Sequence, residues 1–300
     1  MELNDEGQPS GDAAKAPTGV APAAFGIPQL TELRELAIWL SESAGELIRQ
    51  THPNRVQVQD TKSSATDPVT EMDLRIESYL VNQIRQRRPD DGILGEEGDS
   101  RIGTTGLTWV IDPIDGTVNY LYGVASFAVS VAVVTGPPHP LHWTQQAGAV
   151  HDVVLNRTWA AARGLGATVN GQPIENAHLT PAPLAKSLVA TGFGYAPNRR
   201  AGQARVLTQV LPQVRDIRRL GSAAIDLCLQ AEGIVDLYYE RGLQPWDLAA
   251  GTLIAAEAGS LVTGLRGLPA SELMTVAGRG EAVRELIEIL EQADADNPAE

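Results

Sequence analysis

Two aspartates directly follow an apolar run in the segment WVIDPIDGTVNY, which spans residues 109–120. A buried carboxylate costs free energy unless something offsets its charge, so Asp112 and Asp115 predict a cation opposite them. Pro113 fixes its own φ and favours an extended conformation at Asp112, which lets both carboxylates and the Ile114 carbonyl face one point. The spacing therefore indicates a cation site at the end of a strand.

Three further acidic clusters lie beside apolar runs, where solvated carboxylates are least expected. Asp73 closes TDPVTEMD, Glu96 and Glu97 stand in GILGEEG, and Asp247 stands in ERGLQPWDLAAG. None of these segments contains His or Cys, and oxygen ligands alone suit Mg²⁺ or Mn²⁺ better than zinc. We therefore predict an oxygen-only metal site, formed by Glu96, Asp112, Asp115 and Asp247. For Glu97, an acidic loop without a metal is an equally good interpretation.

The residues after the first two aspartates suit an anion. Gly116 permits close approach of the backbone, and Thr117 with Val118 can open a helical turn whose free amides bind phosphate. Metal ligands directly before such a turn indicate metal-assisted hydrolysis of a phosphate ester. Asp-Pro and Asp-Gly are also ordinary turn dipeptides, and Asp73 and Asp247 could serve only at helix N-termini. The joint occurrence of all four clusters favours the metal site.

These groups need helices and strands that bring distant segments together. Apolar spacing predicts a helix over Leu30–Ile48 and another over Glu71–Arg88, with Thr70 as N-cap and Asp73 at the third position. Strands are predicted within 92–98, 107–111, 127–134, 147–155, 159–162, 188–191 and 234–239, and helices near 200–213, 222–232, 247–258 and 281–293. Strands and helices are mixed throughout, which indicates an α/β or α+β fold with layered packing.

Composition excludes several classes of protein. The net charge of −14 over 300 residues argues against a nucleic-acid-binding surface, and no run of about 18 apolar residues predicts a membrane span. The acidic, Pro-rich and Ala-rich residues 1–27 lack the pattern of a secretory signal and predict a disordered tail. Cys228 is the single cysteine, which suits a reducing cytoplasm and a packing role. Of the five histidines, only His139 and His142 have ligand spacing, and their Pro-rich turn favours a solvated loop.

Four segments together resemble the inositol monophosphatase family: KSSATDPVTEMD, GEEG, WVIDPIDGTVNY and WDLAAGTLIAAEAG. The resemblance runs from about residue 30 to 290, and ATGFGY and IRRLGSAAIDLC are most similar to the bacterial SuhB-type members. It implies a layered α-β-α-β-α fold, Mg²⁺-dependent hydrolysis of phosphomonoesters, inhibition by Li⁺ and a homodimer. We expect one domain over residues 28–293, with lobes at about 28–155 and 156–293, and a solvated tail over 294–300.

The resemblance also implies roles for individual residues. Glu96, Asp112 and the Ile114 carbonyl would hold the first metal ion, and Asp112, Asp115 and Asp247 the second, while a third, weaker Mg²⁺ would lean on Glu96 through waters. Asp73 and Thr117, with Glu96 beside them, would orient and deprotonate the attacking water. The amides of Gly116 and Thr117 would hold the phosphate oxygens, and Lys62 would balance charge near the site.

The substrate side is implied in the same way. Glu240 would accept hydrogen bonds from inositol hydroxyls, Asp115 would touch a hydroxyl, and Gly221, Ser222 and Ala223 would shape the pocket. The chain departs from many relatives at Val118, at residues 120–122 (YLY) and at Ser260. None of these positions is an expected metal ligand, so the departures bear on substrate preference before they bear on catalysis.

Other functions stay open at this point. Related phosphatases act on fructose 1,6-bisphosphate, histidinol phosphate or 3′-phosphoadenosine 5′-phosphate, although Glu240 favours a polyol. A protein-binding module on the same scaffold is the alternative of a different class. Such a module would be free to lose its carboxylates, yet this chain keeps all five: Asp73, Glu96, Asp112, Asp115 and Asp247.

Overall fold

The computed structural model describes residues 25–51, 58–61, 68–175 and 180–297. Lys62 and the first 24 residues of the expected tail lie outside these ranges. Seven helices are described: α1 Ile27–Thr51, α2 Glu71–Arg87, α3 Thr117–Tyr122, α4 Pro197–Val210, α5 Ala223–Glu232, α6 Pro245–Glu257 and α7 Gly280–Gln292. Helix α1 thus begins at Ile27 and includes the last residue of the expected tail.

The strands form two large sheets and one small hairpin. The larger sheet contains β3 Gly92–Gly95, β4 Ser100–Arg101, β5 Leu107–Asp115, β6 Ala128–Thr135, β7 Thr144–Asp152, β8 Arg157–Ala162, β9 Ala167–Val169 and β10 Gln172–Pro173. The smaller sheet contains β11 Leu188–Thr191, β12 Asp216–Arg218, β13 Leu237–Glu240, β14 Leu261–Thr263 and β15 Thr275–Gly278. Strands β1 Val58–Thr61 and β2 Pro68–Thr70 pair with each other.

Three hydrophobic cores stack the elements into five layers. Helices α1 and α2 bury Leu40 and Leu80 against one face of the larger sheet. Helices α5 and α6 lie between the two sheets, in a core that includes Leu227 and Tyr238. Helices α4 and α7 cover the far face of the smaller sheet, where Leu286 is fully buried. The predicted α-β-α-β-α fold is therefore confirmed.

Local signals placed α2 correctly. The Thr70 backbone amide donates to Asp73 Oδ2 at 2.8 Å, and the Asp73 amide lies 3.4 Å from Thr70 Oγ1. This reciprocal pair satisfies amides of the first turn that no helical carbonyl can reach. The helix ends at Arg87, one residue earlier than predicted, with Arg88 as its C-cap before Pro89.

The predicted boundary between lobes is too early. Residues 155 and 156 lie in the turn between β7 and β8, and those two strands pair over six residue pairs from Ala147–Ala162 to Asp152–Arg157. The larger sheet then continues through β10, so the transition to the smaller sheet falls between Pro173 and Leu188. Because β7 and β8 form a hairpin, both belong to the larger sheet. The turn at residues 155 and 156 is visible in the sequence, but the pairing of the two strands is not.

Two other expectations need correction. Strand β13 begins at Leu237 rather than residue 234, because Gly233 ends α5 in a left-handed conformation and a turn follows. The chain also stays packed beyond residue 293, since Ala295 is buried and Arg266 forms ion pairs with Asp294 and Asp296. These two carboxylates therefore have a structural partner instead of serving only as solvated charge.

None of the described helices combines the length and the apolar character that crossing a bilayer requires.

Candidate functional site

A bulge at the end of β5 brings two carboxylates to the same place. Asp112 is opposite Ser130 of β6 and Asp115 is opposite Ala128. Between these two pairs β5 therefore contains one residue more than β6. In a regular strand, residues three apart point to opposite faces, and the extra residue removes that opposition. Ligand oxygens of Asp112, Asp115 and Asp247 consequently lie within 4.8 Å of one another.

Asp112 is the most crowded of the three. Its side chain is 1% exposed, and its Oδ1 accepts a hydrogen bond from the Ile114 amide at 3.0 Å. Burial raises the pKa of Asp112 well above its usual value, and the charges of Glu96, Asp115 and Asp247 raise it further. The Ile114 amide therefore holds the Asp112 carboxylate in place, but it does not offset its negative charge.

Asp247 stands at the third position of α6. Its Oδ2 accepts the Gln244 amide at 2.7 Å, which completes a capping box at the start of the helix. Burial, followed by the charges of Asp115 and Glu96, raises the pKa of Asp247 well above its usual value. The residue therefore serves both as a helix cap and as a member of the carboxylate cluster.

Asp115 connects the cluster to α5. Its Oδ2 accepts hydrogen bonds from Ser222 Oγ at 2.6 Å and from the Ala224 amide at 2.7 Å. Burial still raises the pKa of Asp115 despite these donors. Ser222 is also the N-cap of α5, so the expected pocket residue has a second task of holding Asp115.

Asp112, Asp115 and Asp247 are crowded and largely buried, and within the described ranges none of them forms an ion pair with a basic side chain. Such a set of carboxylates fits a cation. Oxygen atoms alone make up the donor set, which suits a hard divalent ion such as Mg²⁺ or Mn²⁺. The raised pKa values of Asp112 and Asp247 show how unfavourable the charged cluster is by itself. A divalent ion bound there would offset both the burial and the repulsion.

Glu96 reaches the same cavity from the β3–β4 connection. That connection is held by Glu77 of α2, whose carboxylate accepts the Glu97 amide at 2.8 Å and the Asp99 amide at 3.0 Å. A Cβ on Gly95 would lie only 2.5 Å from Glu77 Oε2, so the close approach requires glycine there. Sequence reasoning missed Glu77, although an acidic residue on the apolar face of α2 was a usable signal.

Thr117 and Asp73 meet behind the carboxylates. Thr117 Oγ1 lies 3.3 Å from Asp73 Oδ1 and 3.1 Å from the Ile114 carbonyl oxygen. Thr117 lines the cavity, whereas Asp73 is fully buried. Gly116 precedes α3 with φ of 99°, and a Cβ there would lie 3.0 Å from the Ser126 carbonyl oxygen. Glycine is required at this position by both the backbone conformation and the space.

The cavity holds about 530 Å³ and extends from the carboxylates to the smaller sheet. Glu240 lies at the end of β13, and its Oε2 accepts a hydrogen bond from Tyr238 Oη at 2.9 Å. Burial, with the charge of Asp115, raises the pKa of Glu240 to about 7. The other expected site residues that line this cavity are Glu96, Ile114, Gly116, Gly221, Ser222 and Ala223.

Two further polar residues near the cavity were not predicted from the sequence. Asn119 of α3 donates from Nδ2 to the carbonyls of Ser126 and Leu220, at 2.7 Å each, and so joins α3 to the segment before α5. Asp226 is 1% exposed on α5, and burial together with the Glu240 charge raises its pKa well above the usual value. An acidic residue inside SAAIDLCLQA was the available signal for Asp226.

Comparison with known proteins decides the family. The model of the inositol monophosphatase family matches residues 29–294, which is nearly all of the described chain. The chain belongs to the inositol monophosphatase family. Its carboxylate cluster, the Gly116 turn and Glu240 all fall within the matched region.

Several bacterial members of the family are similar to this chain over most of its length. "Inositol-1-monophosphatase" of Mycobacterium leprae is 49% identical over 67% of this chain and 69% of the relative. "Nus factor SuhB" of Pasteurella multocida is 34% identical over 89% of this chain and 98% of the relative. The solved structure of Mycobacterium tuberculosis SuhB has a TM-score of 0.72 and 39% identity, and it covers 89% of this chain and 98% of its own.

Proposed function

We propose that this protein hydrolyses myo-inositol 1-phosphate to inositol and phosphate, with Mg²⁺ as cofactor and Mn²⁺ as a possible substitute. One observation carries the proposal. The oxygens of Asp112, Asp115 and Asp247 converge within 4.8 Å, in the cavity that also contains the Gly116–Thr117 turn and Glu240. Cation ligands, an anion-binding turn and a hydroxyl acceptor in one cavity suit a polyol phosphate.

Two overlapping sets of ligands are proposed for two metal ions. Glu96, Asp112 and the Ile114 carbonyl form the first set, and Asp112, Asp115 and Asp247 form the second, with a third and weaker ion near Glu96. Bound divalent ions would activate a water molecule and offset the negative charge that develops on the phosphate and the leaving oxygen. The family relatives named inositol-1-monophosphatase support this assignment.

The chain's own groups would act on the water and the phosphate. Thr117 lines the cavity, and its Oγ1 lies 3.3 Å from Asp73 Oδ1, so the pair can hold the attacking water and accept its proton. The amides of Gly116 and Thr117 precede any helical hydrogen bond of α3 and can bind phosphate oxygens. Glu96, which lines the same cavity, would also orient the water.

The polyol would lie against the smaller sheet. The Glu240 carboxylate would accept hydrogen bonds from hydroxyl groups of the substrate, and Tyr238 fixes its orientation by donating to Oε2 at 2.9 Å. Gly221, Ser222 and Ala223 form the neighbouring wall, where a bulky side chain would reduce the space. Asp115 would contact a hydroxyl near the reacting phosphate.

Phosphate release from a panel of substrates tests the proposal. The panel contains myo-inositol 1-phosphate, fructose 1,6-bisphosphate, histidinol phosphate and 3′-phosphoadenosine 5′-phosphate, each with Mg²⁺, with EDTA and with added Li⁺. We expect Mg²⁺-dependent, Li⁺-sensitive turnover that is fastest for the inositol ester. A different leading substrate would correct the substrate, and metal-independent turnover would overturn the mechanism.

A homodimer in the cytoplasm is proposed as the working form. Tyr122, Val124, Val154 and Leu155 are 78%, 49%, 42% and 65% exposed, and their two turns are joined by the Val153 amide and the Phe127 carbonyl. Such an apolar patch favours a second copy of the chain as its partner. Sedimentation of wild type and Leu155→Glu would test this, since a dimer in wild type that is lost in the variant supports the patch as the dimer interface.

The cytoplasmic location is proposed from the single cysteine. The free, buried Cys228 is consistent with a reducing compartment.

A further inference from the structure

The connection between β3 and β4, which carries Glu96, is held by a carboxylate from another element. Glu77 of α2 is 3% exposed, and each of its two oxygens accepts one backbone amide of the connection. Oε2 accepts the Glu97 amide at 2.8 Å, and Oε1 accepts the Asp99 amide at 3.0 Å. Because the two oxygens have different partners, the carboxylate cannot rotate without breaking a charge-assisted hydrogen bond.

Packing alone does not account for a glutamate at this position of α2. Burial raises the pKa of Glu77, although the amides of Glu97 and Asp99 lower it in part. Within the described ranges, no lysine or arginine forms an ion pair with Glu77. An apolar side chain would fill the same position on the buried face of the helix at lower cost, so the carboxylate has another use.

Glu77 contacts the residues on both sides of Glu96. A Cβ on Gly95 would lie 2.5 Å from Glu77 Oε2, so the backbone of residue 95 passes directly against the carboxylate. Glu97, which follows Glu96, donates its amide to the same oxygen. The Gly95 amide also donates to the Asp99 carbonyl at 2.8 Å, which closes the connection into a tight loop. One side chain therefore fixes the backbone on both sides of Glu96.

Helix α2 connects this loop to the proposed proton acceptor. Asp73 and Glu77 are four residues apart, so they lie on the same face of α2, one turn from each other. Asp73 Oδ1 lies 3.3 Å from Thr117 Oγ1, and Glu77 binds the loop that carries Glu96. The helix thus fixes where the loop lies relative to Asp73 and Thr117.

We propose that Glu77 is a positioning residue for the first metal ion, because it holds Glu96 in place for ligation before a divalent cation binds. This inference rests on the proposed function, in which Glu96, Asp112 and the Ile114 carbonyl form the first set of ligands. Glu77 does not line the cavity, so it acts on the ion only through the loop. A loop that is already ordered loses less conformational freedom on binding, and loss of such supporting contacts typically weakens metal binding by about 10- to 100-fold.

Glu77→Gln tests the proposal with little change in size. Glutamine keeps one acceptor oxygen, but its NH₂ group meets one of the two backbone N–H donors, so one contact with the loop is lost. Titration with Mn²⁺ in the absence of substrate, followed by electron paramagnetic resonance, measures the binding of each ion. We expect about 10- to 100-fold weaker binding of the first ion and unchanged binding of the second. Glu96→Gln removes a proposed ligand and so identifies which binding step belongs to the first ion.

Two further variants separate the loop contact from its charge. Asp99→Asn removes a carboxylate from the same loop but leaves the Asp99 amide bound to Glu77. Because the Asp99 side chain is 42% exposed, binding of Mn²⁺ should stay within about twofold of wild type. Gly95→Ala keeps every charge, but its Cβ would displace the Glu77 carboxylate, so it should weaken the first ion as Glu77→Gln does.

Hydrogen exchange supplies a readout in the metal-free protein. The amides of Glu97 and Asp99 should exchange faster in Glu77→Gln than in wild type, and should stay protected in Asp99→Asn. Faster exchange with unchanged Mn²⁺ binding would refute the positioning role, as would equal weakening of both ions or equal effects of Glu77→Gln and Asp99→Asn. Each of these results would leave the proposed metal centre intact, whereas a wild type that binds no Mn²⁺ would refute both.

Discussion

Thr117 Oγ1 lies 3.3 Å from Asp73 Oδ1 and thereby joins the first turn of α3 to the first turn of α2. The other oxygen of Asp73 accepts the Thr70 amide, so one carboxylate both caps its own helix and addresses a hydroxyl 44 residues away. Neither the Asp73 carboxylate nor the Thr117 hydroxyl can turn freely. A proton acceptor that is already oriented in this way needs little reorganisation when a reaction begins.

Replacing the Thr117 hydroxyl should lower catalytic activity without disrupting the fold. Thr117→Val keeps the shape but removes the contact with Asp73, and we expect kcat to fall by about a hundredfold. Thr117→Ser keeps the hydroxyl and should retain most of the activity. Steady-state kinetics with myo-inositol 1-phosphate measure both variants. Equal activity of the Val and Ser variants would show that the hydroxyl has no part in catalysis.

Asp112→Asn should have opposite effects on activity and on stability. The variant removes charge from both proposed metal sites, so turnover should fall roughly a thousandfold. Without metal, the variant should melt higher than wild type because a buried, repelled charge is gone, by about 2–4 °C for each kcal/mol relieved. Asn Oδ1 can still accept the Ile114 amide, which preserves the local turn. Melting curves in EDTA and in Mg²⁺ measure this, and a lower melting temperature in EDTA would contradict it.

Glu240 predicts how the metal-free protein responds to pH. Its pKa is raised from 4.5 to about 7 in the fold, so its favourable contribution is complete below pH 4.5 and is lost as the pH rises through 7. Through Glu240 alone, the melting temperature in EDTA should therefore decline between pH 5 and pH 8. Glu240→Gln should decline less, whereas Glu288→Gln on an exposed part of α7 should follow wild type. If the melting temperature of Glu240→Gln declined as much as that of wild type, the Glu240 carboxylate would not titrate in that range.

The environment of His151 predicts a contribution to stability whose pH dependence is opposite in sign to that of Glu240. Arg49 Nη1 lies 3.0 Å from His151 Nε2, so Nε2 accepts, and Nδ1 must donate to Thr158 Oγ1 at 2.9 Å. Burial, with the nearby Arg49 charge, lowers the pKa of His151 to about 4. Below pH 6.5 this imidazole binds a proton in the unfolded chain but not in the fold, so the contribution of His151 to stability should fall as the pH drops from 6.5 towards 4.

Two histidine variants measure that dependence. His151→Asn should be less stable than wild type at pH 7.5, where the hydrogen-bond network is intact, and should lose less stability between pH 6.5 and pH 4.5. The exposed His139→Asn serves as control and should follow wild type throughout. An identical acid dependence of His151→Asn and wild type would exclude a buried, neutral imidazole.

Features that depend on neighbours in the sequence could be predicted. The capping box of α2 follows from the spacing of Thr70 and Asp73. Pro113 and Gly116 indicated that Asp112 and Asp115 approach each other, although the bulge that brings their oxygens together forms through pairing with β6. The layered order of the fold came from the family resemblance, because apolar periodicity identifies elements but not which sheet they join.

Features that depend on distant contacts were not predictable from one sequence. Glu77 binds amides 20 and 22 residues away, and Asn119 binds the Leu220 carbonyl 101 residues away. The β5 bulge depends on pairing with β6, and the β7–β8 hairpin moved the sheet boundary beyond residue 155. In each case the determining interaction joins segments whose proximity only the folded chain reveals.

The most direct test of the account is phosphate release from myo-inositol 1-phosphate while Mg²⁺ is titrated into metal-free wild type and Asp247→Asn. We predict no activity in EDTA, saturable activation of wild type by Mg²⁺, and at least a hundredfold lower turnover in Asp247→Asn at every Mg²⁺ concentration. Wild-type activity that persists in EDTA, or activation of Asp247→Asn to the wild-type rate, would contradict the assignment of the carboxylate cluster as the metal centre.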